Sequence, residues 1–295
     1  MTSPRPASLA VGLGAAVTAI SSAALVILLA EPLPATVIAA GRVTVTGVAL
    51  LLLGARELGS LRLALRDRGT SLRIVIAAAL LAVHFAAWVA SLSITTVPRA
   101  VTLVATQPLF AGLVGRWVGD RAPPSLYLGA AVALVGTLVM VGGEDPAGTL
   151  GFNLGDGLAL LAAAAAAAYL VVGRSVRKQL PLRPYLGAVH LVSALMLGLM
   201  VVLGSDDPWP ATADGTDLLA LLYLGLVPGL IGHGLINWAV RYVPVHVVAL
   251  ATLVEPVGAT VLTVLLFGYA VTPAELYGAG ILLVGVAVGL PGRES

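Results

Sequence analysis

The stretch VRYVPVHVVALATLVEP, residues 240–256, decides how the chain is read, because it has a partner: LSITTVPRAVTLVATQP, residues 92–108. Both run seventeen residues without a gap, enter an apolar segment through a short Val-Pro turn, and reach Glu-Pro or Gln-Pro deep inside it. About twenty residues further on, each reaches another apolar segment, SLYLGAAVALVGTLVMVGG (125–143) in one case and ELYGAGILLVGVAVGLPG (275–292) in the other. Such paired landmarks divide the chain into two related halves, 1–146 and 147–295.

The composition says which solvent those segments face. Of 295 residues, 59% are hydrophobic and only 10% charged, and the mean hydropathy is +1.03. Thirty charged residues cannot cover a soluble body of this size, whereas a bilayer asks for few. A spanning helix needs about 20 mainly apolar residues. Segments of that kind lie at 8–30, 35–55, 72–94, 98–118, 125–143, 153–173, 184–204, 217–240, 244–267 and 273–290, ten in all. The first is longer than a signal-peptide core and more spans follow it, so it reads as the first membrane helix. Between the segments lie breaker-rich stretches such as RDRGTS (66–71), DRAPPS (120–125) and SDDPWP (205–210).

Ten spans put both termini on one side. With that side cytoplasmic, the inner ends carry Arg5, Arg56, Arg62, Arg66, Arg68, Arg73, Arg116, Arg121, Arg174, Arg177, Lys178, Arg183, Arg241 and Arg293, against Arg99 alone outside. Acids lean the other way, with Glu31, Glu144, Asp145, Asp156, Asp206, Asp207, Asp214, Asp217 and Glu275 outside. Five spans per half is an odd number, so the second half enters the membrane in the opposite direction. The expected fold is all-α: ten transmembrane helices as two inverted five-helix repeats around a central cavity, an arrangement typical of secondary transporters.

LPATVIAAGR (33–42), GDGLALLAAAAAAAYLVVGR (155–174), GHGLINWAVRYVP (232–244) and LVEPVGATVLTVLLFG (253–268), in that order, resemble the drug/metabolite transporter superfamily in its EamA-type branch. The resemblance covers most of the chain. It implies export of small metabolites by alternating access, with amino acids, aromatic ones included, as carried by the YddG-like exporters. It also implies the cytoplasmic membrane of a bacterium. In two places the sequence departs from the family pattern. AVTAISSAAL (16–25) lacks a first-span tryptophan, and the Gly-Glu that closes the ninth span is here Gly268-Tyr269, while the fourth span closes on Gly119-Asp120.

Polar groups within the spans are expensive and therefore informative. His84 and Trp88 lie four apart in span three, as do His233 and Asn237 in span eight and Thr18 and Ser22 in span one, each pair on one helical face. These six are the candidate substrate-binding residues. Each has a plainer role open to it: Thr18 and Ser22 can bond their own helix carbonyls, and His233 and Asn237 can join helices. Gln107-Pro108 and Glu255-Pro256 mark helix breaks, since proline removes a backbone donor, and Arg42 is either a gating contact or a snorkelling cation. Glu255 can support its break, pair with a base, or titrate during transport. His190 and His246 read as structural.

No GxxxxGK[ST], HExxH or GxSG motif is present, and the four His are scattered, so no catalytic residue, metal site or cofactor is expected. The expected partners are a small-molecule substrate and the lipid bilayer, without nucleic acid, and the chain reads as a monomer. Two alternatives stand beside metabolite export. Efflux of hydrophobic drugs would depend on cavity volume more than on His84, His233 and Asn237. A membrane enzyme acting on a lipid-linked substrate would need clustered acids and bases at one face.

Overall fold

The computed structural model describes residues 4–30, 32–95, 97–141, 153–204, 207, 209–268 and 270–290. The boundary between the proposed halves near 146, and Tyr269 after Gly268, lie outside them. Among the described residues every regular element is helical. Eight helices among the described residues are long and apolar enough to cross a membrane, and two shorter apolar ones, Pro124–Met140 and Pro273–Gly289, accompany them.

The helices that matter are α1 (Pro6–Ser21), α2 (Ala23–Leu29), α3 (Ala35–Leu53), α4 (Leu58–Ala64), α5 (Arg68–Ile94), α6 (Val97–Val104), α7 (Gln107–Gly115) and α8 (Pro124–Val141). They are followed by α9 (Leu154–Arg177), α10 (Leu182–Gly204), α11 (Gly215–Leu224), a π-helical segment (Gly225–His233) and α12 (Gly234–Ala239). The chain ends with α13 (Val245–Thr252), α14 (Glu255–Phe267) and α15 (Pro273–Gly289). Several of the acids serve as N-terminal caps. Asn153 with Asp156, Asp214 with Asp217, and Thr272 with Glu275 form capping boxes that satisfy the first amides of α9, α11 and α15.

Proline sets the three interruptions by one rule. A proline at position i removes the hydrogen bond to the carbonyl at i−4 and its ring crowds that carbonyl. The helix α6 ends at Val104, four before Pro108; α13 ends at Thr252, four before Pro256; α11 ends at Leu224, four before Pro228. The loosened backbone finds partners. The Thr46 hydroxyl donates to the Gly225 carbonyl at 2.7 Å, and that of Ser21 donates to the Glu255 carbonyl at 3.1 Å.

Burial is inverted relative to a soluble domain. Leu52, Leu195, Leu203 and Leu265 are exposed, whereas Arg42, His84, His190 and Asn237 are buried. In a bilayer this costs nothing outside and keeps polar groups inside the bundle. The closest helix pair is α8 with α15, which meet backbone to backbone. A Cβ added to Gly129, Gly136 or Gly285 would come within 2.3 Å of a main-chain atom of the opposite helix. Small residues here let two helices gain dispersion energy where the hydrophobic effect is absent.

Candidate functional site

A cavity lies where the interrupted helices meet, enclosing about 890 Å³ of empty space that includes part of its opening. Its walls are mostly apolar: Ile20 and Ala23 from the first span, Leu81 and Phe85 from α5, Val101 and Val104 from α6, and Ala166 and Leu170 from α9. Into this setting project Arg42, His84, Trp88, Gln107, Tyr169, His233 and Glu255, with Pro256 and Thr252 at the α13–α14 break.

Arg42 is the central group. It is 2% exposed, so it does not snorkel to a membrane surface; it lies about two turns into the helix that starts after Pro34. Its guanidinium carbon lies 4.3 Å from the centroid of Phe85 and 5.6 Å from that of Trp88, within cation–π range of both. Its Nη1 is buried without a hydrogen-bond partner. Glu255 lies across the same cavity within electrostatic reach of Arg42.

The imidazoles complete the floor. His84 stacks parallel to Trp88, with centroids 6.4 Å apart, and its Nδ1 lies 2.9 Å from the Ala162 carbonyl. A carbonyl only accepts, so that nitrogen carries the proton and a neutral His84 keeps Nε2 as an acceptor. His233 meets the edge of Phe85 at 5.3 Å. Thus three of the expected binding residues, His84, Trp88 and His233, share one cavity with Arg42, Gln107, Glu255 and Pro256, which the sequence had set apart as gating or helix-break residues.

Four of the expected residues fall elsewhere. Thr18 is on the exposed side of α1 and bonds the Gly14 carbonyl at 3.0 Å. Ser22 bonds the Ala19 carbonyl at 2.8 Å and accepts from the Tyr223 hydroxyl at 3.0 Å, off the cavity wall. Asn237 is fully buried one turn beyond His233, where Gly173 of α9 closes on it, and its amide donates to the His233 carbonyl at 2.9 Å. Pro108 is buried behind Gln107. The hydroxyls and the amide are thereby engaged in helix packing, the plainer of their two roles.

A charged cluster that the sequence did not single out sits at one end of the bundle. Arg174, near the end of α9, pairs with Asp120 at 3.1 Å and donates to the carbonyls of Val240 and Val243 after α12. The same Asp120 accepts the Val245 amide at 3.0 Å, which caps the start of α13. One ion pair thus ties together the ends of α7, α9 and α12 and the beginning of α13. Phe85 and Tyr169 are the other residues missed: nothing in a single sequence separates a cavity aromatic from a packing one. The only available hint for the latch was the acid after Gly119. Among the described residues no group of three His, Cys, Asp or Glu side chains is placed to hold a metal ion.

Comparison with known proteins adds the family. The profile of the EamA-like transporter family matches twice, over residues 6–142 and again over 153–290. An uncharacterized transporter of Archaeoglobus fulgidus is 25% identical over 204 residues, 69% of this chain and 70% of its own length. A probable amino-acid metabolite efflux pump of Salmonella typhimurium is 28% identical over 198 residues, 63% of this chain and 64% of its own. The uncharacterized transporter YwfM of Bacillus subtilis is 26% identical, with 64% of this chain aligned to 62% of that protein. The aligned region thus spans roughly two thirds of each relative. A solved crystal structure superposes with a TM-score of 0.79 at 23% identity, covering 96% of both chains, and so shares the fold. With the family profile matched along nearly its whole length and apolar helices throughout, the chain belongs to the EamA-like transporter family and is a multi-pass membrane transporter.

Proposed function

We propose that the protein is a secondary transporter that exports small metabolites, foremost α-amino acids, by alternating access between two inverted five-helix halves, 1–146 and 147–295. The observation that carries this reading is the cavity itself, built from both halves and polar only at a few converging points: Arg42, His84 and Gln107 from the first, His233 and Glu255 from the second. Small-molecule sites have this character, apolar walls with few orienting groups. The amino-acid assignment takes further support from the name of the Salmonella relative.

The packing pattern supports a two-fold relation. The second span (α3) packs on the seventh (α10), and the fifth (α8) on the tenth (α15), each pair mapping onto itself when the halves are exchanged. The third (α5) packs on the sixth (α9), and its counterpart, the eighth with the first, is also in contact. Two halves joined this way can rock about the cavity between them. The arginine-rich loops support a reading with both termini in the cytoplasm of a bacterial cell and the Asp120–Arg174 latch at the inner end. A cavity lined entirely from within one chain favours a monomer.

Counterflow in proteoliposomes tests the reading. Vesicles loaded with unlabelled amino acids are expected to accumulate a labelled one transiently and saturably. No flux across the full amino-acid panel, with movement of hydrophobic drugs instead, would transfer the proposal to drug efflux.

A further inference from the structure

Resting on the amino-acid reading, we infer that Arg42 and Glu255 form a two-ended receptor for the zwitterionic head of an α-amino acid with a bulky apolar side chain. A guanidinium held in the bundle interior is costly, and a buried charged donor left without an acceptor costs more. Arg42 is in that state: nearly fully buried, with Nη1 unpartnered, and steadied by the faces of Phe85 and Trp88 and at longer range by Glu255. Glu255 shares the cavity yet makes no direct ion pair with it, so neither charge satisfies the other. A ligand carboxylate answers the guanidinium, for which its fork is the matching shape. The ammonium beside that carboxylate answers Glu255, and Nε2 of His84 offers a further acceptor.

The remaining wall, mostly apolar with Gln107, Tyr169, His233 and Thr252 as its polar members, selects the side chain. Leu81, Phe85, Val101, Val104 and Leu170 offer no partner to a polar group. A site that must pair both charges discriminates strongly against analogues lacking one, because the protein's own charge is then left stranded. Selectivity for the intact zwitterion therefore follows from the same feature that leaves Arg42 and Glu255 without a direct ion pair.

The test uses the full chain in nanodiscs, with binding read by calorimetry and flux read by counterflow. The probes are L-phenylalanine, 3-phenylpropanoate, which lacks the amine, and phenethylamine, which lacks the carboxylate. The wild type is expected to bind L-phenylalanine at least about tenfold more tightly than either analogue. Glu255→Gln is expected to abolish the preference for phenylalanine over phenylpropanoate while keeping that over phenethylamine. Arg42→Lys keeps the charge but loses the fork, and is expected to weaken phenylalanine binding about tenfold. Equal binding of all three probes, or undiminished discrimination in both variants while phenylalanine still exchanges, would overturn the receptor and leave amino-acid transport standing. Failure of every amino acid to bind or move would remove the amino-acid reading and the receptor together.

Discussion

The two proline-broken helices are the same device with its charges placed differently. One begins at Val97, breaks after Val104, restarts at Gln107 and closes on Gly119, in the left-handed region at φ 87°. The other begins at Val245, breaks after Thr252, restarts at Glu255 and closes on Gly268, at φ 65°. The first carries its acid at the far end, where Asp120 latches Arg174; the second carries its acid at the break, in the cavity. The backbone plan follows from proline and glycine, which both copies share. Charge is free to differ, and it puts the acid of one copy in an ion pair at an end and that of the other in the cavity.

Breaking the latch has the largest expected effect. Asp120 and Arg174 are both largely shielded, and removing one partner of such a pair leaves a stranded charge, so Asp120→Ala or Arg174→Met is expected to cost about 3–5 kcal/mol in thermal unfolding. Exchanging the residues at the breaks sharpens the comparison next. Gln107→Glu places an additional unpaired acid in the cavity and is expected to destabilise by about 1–3 kcal/mol. Glu255→Gln is expected to leave stability within about 1 kcal/mol while reducing counterflow at least tenfold, because proline rather than the carboxylate makes the break. A large loss of stability in Glu255→Gln would show instead that the acid supports the helix end. Ser21→Ala removes the donor to the Glu255 carbonyl and is expected to cost about 1 kcal/mol. Thr18→Ala is expected to change stability by no more than about 0.5 kcal/mol and transport not at all, since that side chain faces outward and bonds its own helix.

Much of this plan was legible in the sequence because it rests on covalent properties. The apolar lengths report the helices, and Pro108 and Pro256 report the breaks to the residue. The pairing of Gln107 with Glu255 and of His84 with Trp88 survived into the cavity. What the sequence does not encode locally is the rotation and depth of each helix. Spacing of four puts Thr18 with Ser22 and His233 with Asn237 on common faces, but which face looks inward depends on the neighbours. Asn237 shares the face of His233 and misses the cavity by one turn, because α9 approaches through Gly173. The π-helical segment that sets the phase of His233 was also hidden, since Pro228 shows that a helix is disturbed and not how. Arg174 was read with the arginines that orient the chain; its acid lies far away in sequence and only folding brings them together.

Alternating access around the cavity is the central claim, and the absence of cysteine makes it directly measurable. A single cysteine at Ala166 in the cavity wall, in vesicles of known orientation, can be challenged with a membrane-impermeant thiol reagent from either side. The account predicts labelling from both faces, shifted toward the inner-face reagent by Asp120→Asn and altered by a transported amino acid. Labelling from one face only, unmoved by Asp120→Asn and by every amino acid, would contradict it.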